Sequence, residues 1–378
     1  MTVTVNGTNG LTFNDASTQN TAATGFGFKN RLINGSMTID QRNAGASVTP
    51  ANSQYLVDRW FAGLTQAGKF TAQQTPSAAE TGYASRVTAG FTNYLAATSS
   101  SAYSVSAGDI FYLQQRVEGL NFSDLAWGSA GAKTVTLSFW VYSSLTGTFG
   151  GALNNSAFNY CYPFSYSIPV ANTWTQISIT IAGPTSGTWA FTNTSYLGIS
   201  FSLGGGSSFS GTAGAWTSAG TYYTATGATS VVGTSGATFY ITGVQIEKGS
   251  TATTFDYRPY GTELALCQRY FQRFGYSNAG TRVASGGSWA SSTTAYVMIP
   301  LIVQMRATPT FASTALGRVL LEGIAWYACT SASLLTESTF TLAVFALSVA
   351  TSTALGGQVA NWGGGGVTAL DVPLSAEL

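Results

Sequence analysis

Between Thr134 and Ile246 the chain runs for 113 residues without a single Asp, Glu, Lys, Arg or His. The same stretch holds four of the nine tryptophans and twenty of the fifty aromatic residues. Such a segment offers no general acid or base with a pKa near neutral, and no carboxylate or imidazole to hold a metal. We therefore expect this third of the chain to pack and to make contacts, and to take no part in acid–base or metal chemistry.

The whole chain is poor in charge and rich in aromatic residues. Only 8% of its 378 residues are charged, against about 25% in average soluble proteins. Disordered chains lack aromatic residues and carry a large net charge, whereas this chain is 13% aromatic with a net charge of +1. We expect a folded protein dominated by β-structure. A net charge this small gives no electrostatic footprint for nucleic acid.

Several classes of site are excluded by what the sequence lacks. The chain has no histidine, which excludes Ser-His-Asp triads, Cys-His nucleophiles and HExxH metal sites. Cys161, Cys267 and Cys329 are too far apart to indicate a disulfide framework or a zinc site, and are predicted to be small buried apolar residues. The longest apolar run, 342–349, is too short to span a bilayer, and the N-terminal residues lack a signal-peptide pattern. We predict no cofactor, no metal and no membrane insertion.

Alternating apolar residues predict strands. In the run TVTLSFWVY, Val135, Leu137, Phe139 and Val141 alternate with Thr136, Ser138, Trp140 and Tyr142. The same period of two recurs in WTQISITIA and YLGISFSL, as expected where one face of a sheet is buried. Many short alternating strands with Gly-rich turns and no helical crossovers favour an antiparallel jelly-roll sandwich. The predicted fold is mainly β, with this sandwich and a smaller C-terminal β domain joined by one short helix.

Changes in pattern divide the chain into four parts. Residues 1–29 are predicted to form a small hairpin around Gly7 to Gly10 and a linker, residues 30–259 the sandwich, residues 260–275 a connecting helix, and residues 276–378 the C-terminal β domain. The helix is predicted because Leu264, Cys267, Phe271 and Phe274 recur at helical spacing, with Thr262 as N-cap and Gly275 as C-cap.

Three blocks of sequence carry a family likeness. The first is FKNRLINGSMTIDQRNAGASVT followed by YLVDRWF, and the second runs from FYLQQRVEGLNFSDLAWG through KTVTLSFWVYSSLTGTFGGAL to ATFYITGVQIEKGS. The third is TTFDYRPYGTELALCQRYFQRF. Together they resemble bacteriophage tail-fibre and other phage virion structural proteins. The resemblance implies a jelly roll like that of carbohydrate-binding modules, an N-terminal segment for virion attachment, trimer formation and a location in the virion.

Charged residues fall into two groups with competing interpretations. The first group could supply a carboxylate pair for glycoside hydrolysis, or it could join the first and last sandwich strands by Arg–carboxylate pairs, which we favour. It comprises Asp40, Arg42, Asp58, Arg59, Glu247, Asp256, Arg258, Glu263, Arg269 and Arg273. The second group, Asp109, Glu118 and Asp124, could bind calcium, but no DxDxDG-like loop supports that.

Aromatic residues supply the candidate binding site. Trp216, Tyr222 and Tyr223 lie in or just after a Gly-rich loop, where an exposed ring could bind a sugar. Trp140, Trp174 and Trp189 lie on or beside strands and are predicted to be core or subunit-interface residues. The predicted helix has two interpretations, a connector packed on a sheet or a three-fold seam in which Leu264, Cys267, Phe271 and Phe274 contact their copies. We favour the seam.

These features predict a phage virion protein without enzymatic activity. The favoured role is a tail fibre or receptor-binding subunit, a homotrimer that attaches to other virion proteins through its N-terminal segment and adheres to a host surface glycan. One alternative is a head fibre or capsid decoration protein without a receptor role. A second is a polysaccharide depolymerase, which is disfavoured because the chain has no repeat solenoid.

Overall fold

The computed structural model describes residues 28–77, 90–275, 282–313, 315–321, 325–350, 352–354, 358–363 and 370–378, with the backbone of three short N-terminal strands. These strands are β1 (Thr4–Asn6), β2 (Gly10–Thr12) and β3 (Thr18–Gln19), which form an antiparallel sheet. Asn6 pairs with Gly10, as the predicted hairpin requires. The predicted linker lies largely outside the described residues.

Two antiparallel sheets form a sandwich. The six-stranded sheet has the order β11-β10-β13-β8-β5-β4, and the five-stranded sheet has the order β12-β9-β16-β7-β6. Their strands are β4 (Tyr55–Val57), β5 (Trp60–Leu64), β6 (Phe70–Pro76), β7 (Asn93–Ser99), β8 (Ile110–Glu118), β9 (Val135–Ser143), β10 (Gly147–Asn155), β11 (Cys161–Ile168), β12 (Thr175–Ile181), β13 (Ser195–Gly205) and β16 (Thr238–Lys248). Between β13 and β16 along the chain, the short strands β14 (Ser210–Gly211) and β15 (Thr224–Ala225) pair in parallel.

The sandwich core forms where the apolar faces of the two sheets meet. Phe139 of β9 packs edge-to-face on Phe201 of β13, with ring centroids 4.9 Å apart. The predicted alternation in β9 is confirmed, since Val135, Leu137, Phe139 and Val141 all belong to this core. The charge-free stretch supplies strands to both sheets, and its residues bring no carboxylate and no basic side chain into the core.

The helix α1 spans Tyr260–Gln268 and is shorter than predicted. Its N-cap is Pro259, not Thr262, and Phe271–Phe274 form strand β17. This strand pairs with β25 (Val372–Ser375), which lies far away in the sequence. That pairing outweighs the helix predicted from the local spacing of apolar residues, and Phe residues are also favourable in strands. The predicted helical stripe through Phe271 and Phe274 is therefore wrong, as is the Gly275 C-cap.

The C-terminal part is a closed barrel beside a small sheet. The barrel order is β18-β19-β23-β22-β21-β24, closing back on β18, and β17, β25 and β20 form the adjoining three-stranded sheet. The strands not yet defined are β18 (Arg282–Trp289), β19 (Thr294–Pro300), β20 (Thr310–Phe311), β21 (Arg318–Leu321), β22 (Ala325–Leu334), β23 (Leu342–Val349) and β24 (Val359–Gly363). Trp289, Phe345 and Trp362 fill its core. The mainly β fold is thus confirmed.

Ion pairs tie the sandwich to the last residues of the chain. The carboxylate of Glu377 pairs with both Arg42 and Arg59, and Arg273 binds Asp371 through two nitrogens at 2.7 and 2.9 Å. The predicted pairing of arginines with carboxylates therefore occurs, but several partners come from the C-terminal segment. No helix in the described ranges is long and apolar enough to cross a membrane.

Candidate functional site

The outer face of the five-stranded sheet carries a cluster of aromatic rings. On β9 these are Trp140 and Tyr142, the residues that alternate with the core positions. Tyr142 stacks on Tyr240 of β16 with centroids 5.0 Å apart and planes 5° from parallel. Tyr94 and Trp174 complete the cluster, and Trp140 packs at its edge. Large aromatic residues thus occupy sheet positions that usually carry polar side chains.

An open cleft of about 430 Å³ lies beside Trp140 on this face. None of the described side chains that line it is charged. They are Phe91, Ser138, Phe139, Trp140, Gln176, Thr253, Thr254, Phe255 and Tyr257, with Gly243 between them. We call this the uncharged cleft. It combines aromatic surfaces with amide and hydroxyl groups.

A β-bulge shapes the floor of the uncharged cleft. The pairing of β16 with β9 is interrupted between Thr242 and Gln245, and Gly243 within the bulge has a φ of +61°. A Cβ atom at Gly243 would lie 2.4 Å from the Phe91 ring, so only glycine lets that ring approach the bulge. The position of the Phe91 ring therefore depends on glycine at position 243 of the bulge.

The far wall of the cleft is a loop held down by two polar residues of β16. Glu247 accepts hydrogen bonds from the backbone N–H and the hydroxyl of Thr253, at 2.8 and 2.7 Å. Gln245 accepts one from the backbone N–H of Asp256 at 2.8 Å and donates to Glu247 at 2.9 Å. Both side chains are buried. Because every one of these contacts is internal, their role is to place the wall, and they are not themselves binding groups.

Three aromatic rings form that wall. Phe91, Phe255 and Tyr257 contact one another, with centroid distances of 4.9 to 5.5 Å. Tyr257 is 52% exposed. Burial of part of the ring raises the pKa of its phenol to about 12, so Tyr257 stays protonated well above neutral pH.

A second, smaller cleft of about 170 Å³ lies on the other side of the same three rings. Its lining includes Asp256, Arg258 and Glu263, so we call it the charged cleft. Arg258 pairs with Glu263 at 3.1 Å, and Asp256 Oδ2 accepts hydrogen bonds from the backbone N–H groups of Lys29 and Asn30. The two clefts thus differ in chemistry but share one wall.

The predicted sugar-binding residues have other surroundings. Trp216 is half-buried in a ring cluster that includes Tyr160, on which it stacks with centroids 5.6 Å apart, and Trp189. Its indole N–H donates to the Ala182 carbonyl at 2.8 Å. Tyr223 stacks on Tyr112 of β8 with centroids 4.6 Å apart. The structure therefore places Trp216 and Tyr223 in separate aromatic clusters.

Tyr222 and Tyr223 hold their loop against the six-stranded sheet. The Tyr222 carbonyl accepts a hydrogen bond of 2.7 Å from the buried Asn154 side chain. The Tyr222 ring lies close to Gly211 and Gly220, where a Cβ atom would be 2.4 and 2.8 Å from it. Residues 212, 214, 215, 218 and 219 of this loop are exposed, as predicted, while Gly211 and Gly220 let the Tyr222 ring pack closely. An open cleft on the six-stranded sheet, lined by Tyr55, Phe61 and Arg116, has a volume of about 110 Å³, against about 430 Å³ for the uncharged cleft.

The predicted three-fold seam does not form a stripe on one helix. Leu264 and Cys267 lie on α1, but Phe271 and Phe274 lie on β17. Cys267 and Phe271 are buried in the chain's own interior, which leaves them unavailable to a neighbouring copy. Burial also raises the pKa of the Cys267 thiol.

The three carboxylates considered for calcium have separate partners. Asp109 accepts hydrogen bonds from Thr65, Tyr103 and the Ser106 N–H. Glu118 binds Arg269 and the Tyr270 hydroxyl, whereas Asp124 pairs with Arg31 and Lys248. Among the described residues no three His, Cys, Asp or Glu side chains come together as a possible metal site.

The residues that line the uncharged cleft were missed at the sequence level, although one signal pointed to them. Trp140 lies on the outward-facing side of β9, between Ser138 and Tyr142, and the alternate residues of the strand face the core. An aromatic residue at such a position indicates a ring directed away from the core. The contribution of Tyr257 had no such signal, because it depends on how Gln245 and Glu247 place its loop.

No protein-family model and no curated protein sequence matches the chain. Among solved structures, the enzymatically active domain of tailspike protein 4 from bacteriophage CBA120 is similar at 13% identity and a TM-score of 0.31, covering 58% of this chain and 21% of that one. A family 4 carbohydrate-binding module covers 57% of this chain and 98% of its own at 14% identity and a TM-score of 0.28. A family 11 carbohydrate-binding module from Clostridium thermocellum covers 55% and 98% at 10% identity and a TM-score of 0.26. At these TM-scores the similarity transfers no function to this chain.

Proposed function

We propose that this chain is a glycan-binding protein whose binding site is the uncharged cleft. The observation that carries the proposal is the lining of that cleft, where Trp140 and Tyr257 supply rings and Gln176 supplies an amide, with no charged side chain among the described lining. The faces of a sugar ring are patches of C–H groups that pack on aromatic rings, and its hydroxyl groups bond to amides and hydroxyls. A neutral glycan matches both features.

We further propose that the protein adheres and does not cleave. The carboxylates of the charged cleft already hold the fold together, since Glu263 binds Arg258 and the Asn34 N–H and Asp256 binds the backbone at Lys29 and Asn30. A catalytic pair needs one carboxyl group free to donate a proton and one free to attack or activate water. Release of reducing ends from a bound polysaccharide, abolished in D256N, would overturn this proposal in favour of a depolymerase.

The proposed setting is a bacteriophage virion, with the chain as a tail fibre or receptor-binding subunit. The support is the resemblance of the three sequence blocks to phage virion proteins. Binding of the labelled protein to host cells, competed by the purified surface polysaccharide, is the expected result. Specific labelling of the particle without any binding to cells would favour the head-fibre or decoration role.

We also propose that the protein works as a homotrimer, because several copies would turn a weak single site into firm attachment. The barrel supports association, since paired outward positions of β19 and β23 bring Met298 beside Val344 and Met298 is 51% exposed. Exposed apolar sheet surface of this kind favours burial against another copy. Light scattering is expected to give three times the chain mass, and M298D to lower it. A monomer at micromolar concentration would contradict the proposal.

A further inference from the structure

The uncharged and charged clefts lie within reach of one extended ligand. Phe91, Phe255 and Tyr257 line both of them, and Tyr257 is half-exposed. A chain of sugar residues stacked on Tyr257 would therefore have neighbouring units in each cleft. The charged cleft is the smaller, at about 170 Å³, which suits a substituent of a sugar better than a second full ring.

Arg258, which is among the residues lining the charged cleft, carries one buried donor without a partner. The Arg258 side chain is 5% exposed, and its terminal nitrogens donate to the carbonyls of Leu32 and Asn30 and to Glu263. Its Nε atom has no hydrogen-bond partner within the described part of the chain. A buried N–H group left unpaired is unfavourable, so an acceptor supplied by a ligand would be favoured there.

The charges of the cleft decide what kind of acceptor fits. Among the described lining residues, the carboxylates of Asp256 and Glu263 accompany Arg258, so an anionic ligand group would be repelled there and a neutral carbonyl oxygen would not. Both described hydrogen bonds to Asp256 end on its Oδ2 atom, and a carboxylate can accept several bonds. Its Oδ1 atom can therefore accept an N–H group from the ligand.

We propose that the charged cleft binds the acetamido group of an N-acetylhexosamine, an inference that rests on the proposed glycan-binding function. The acetamido carbonyl accepts from Arg258 Nε, and its N–H donates to Asp256. Its methyl group packs on the shared aromatic wall, on the side of Phe91 and Phe255 that faces this cleft. A plain hydroxyl group at the same carbon has neither the carbonyl oxygen nor the methyl group.

The test compares three tetrasaccharides that share one β-1,4 backbone, by calorimetric titration of the full chain. They are cellotetraose, with hydroxyl groups, chitotetraose, with acetamido groups, and the deacetylated chitosan tetramer, with ammonium groups. Chitotetraose is expected to bind at least about tenfold more tightly than the other two. Equal binding of cellotetraose and chitotetraose would overturn the inference and leave the proposed function standing. Tighter binding of the chitosan tetramer would also overturn it, because the carboxylates alone would then account for recognition.

Two further outcomes distinguish failure of the acetamido inference from failure of the proposed glycan-binding function. Binding of none of the three would overturn both the inference and the choice of the uncharged cleft as a glycan site. R258K keeps the charge but removes the Nε–H, so it is expected to abolish the preference for chitotetraose over cellotetraose. If R258K fails to fold, the comparison of the three ligands on the unmodified chain still decides.

Discussion

Trp140 of β9 and Gln176 of β12 stand directly opposite each other in the register of the five-stranded sheet, and both line the uncharged cleft. Side chains at opposed positions of an antiparallel pair lie about 5 Å apart. An aromatic ring and an exposed amide are thus fixed side by side by the sheet itself. A rigid sheet is a more accurate support for a binding pair than a loop.

Binding at the uncharged cleft should depend little on salt. Its described lining contains no charge, and salt weakens only interactions between charges. We expect the affinity for a neutral glycan to change by less than about twofold between low and roughly 0.5 M NaCl, a range in which the Debye length falls severalfold. Titrations at several salt concentrations measure this. A steep loss of affinity would move the binding site to the charged surface.

Gly243→Ala should destabilise the protein through Phe91. The substitution strains a residue at φ +61° and drives a methyl group into the Phe91 ring. Gly236→Ala is the matched control, because Gly236 has φ +74° with no atom within 4 Å of an added Cβ. We expect G243A to lower the free energy of unfolding by about 1–3 kcal/mol more than G236A, and to weaken glycan binding. Equal effects in denaturant titrations would mean that Phe91 does not depend on the glycine.

Glu377→Gln should weaken the attachment of the C-terminal segment. Glu377 pairs with both Arg42 and Arg59, and Arg59 is 1% exposed with its guanidinium 3.6 Å from the Tyr270 ring centroid. Removing one partner of a buried pair leaves uncompensated charge, and a loss of about 3 kcal/mol is expected. The exposed Glu337, changed to Gln, is the control and should alter the free energy of unfolding by less than about 0.5 kcal/mol. Similar values for the two variants would refute the structural role of Glu377.

Asp58 should give stability an unusual dependence on pH. Burial raises its pKa from 3.8 to about 6, although Arg42 and hydrogen bonds from Gln41 oppose the shift. The folded state therefore takes up a proton at higher pH than the unfolded state, so the contribution of Asp58 to stability increases as pH falls from about 6 to about 4. A shift of this size corresponds to about 3 kcal/mol.

The comparison of wild type with D58N isolates this effect from other carboxylates. Asp109, for example, has a lowered pKa because the Ser106 N–H binds it, so its contribution is lost as pH falls. We expect the difference in unfolding free energy between wild type and D58N to favour wild type increasingly from pH 6 to pH 4. A difference that is constant over this range would show that Asp58 is not protonated in that window.

The fold class, and which residues of each strand face the core, could be predicted from the sequence. Burial of one face of a sheet makes apolar residues alternate along each strand, and this alternation is visible in the local sequence. The sequence was insufficient for Phe271–Phe274, whose strand exists because β25 pairs with it from about a hundred residues away. The same limit applied to the site. Trp140 could be placed outward from its strand alone, but the wall formed by Tyr257 depends on Gln245 and Glu247 holding a loop.

The glycines around Trp216 do not by themselves predict how the aromatic rings of the loop pack. A Gly-rich loop around Trp216 favoured an exposed binding loop, yet Gly211 and Gly220 have the Tyr222 ring packed against them. Absence of a Cβ permits exposure and close packing equally, and only the tertiary contacts decide between them.

The affinity of W140A for a neutral tetrasaccharide tests the central claim most directly, with W326A as control. Trp140 lines the uncharged cleft, whereas Trp326 lies on β22 of the barrel, beside Arg282. Calorimetric titration is expected to show at least about a tenfold loss of affinity, or 1.4 kcal/mol, for W140A, with W326A binding like wild type. Unchanged affinity of a folded W140A would contradict the account.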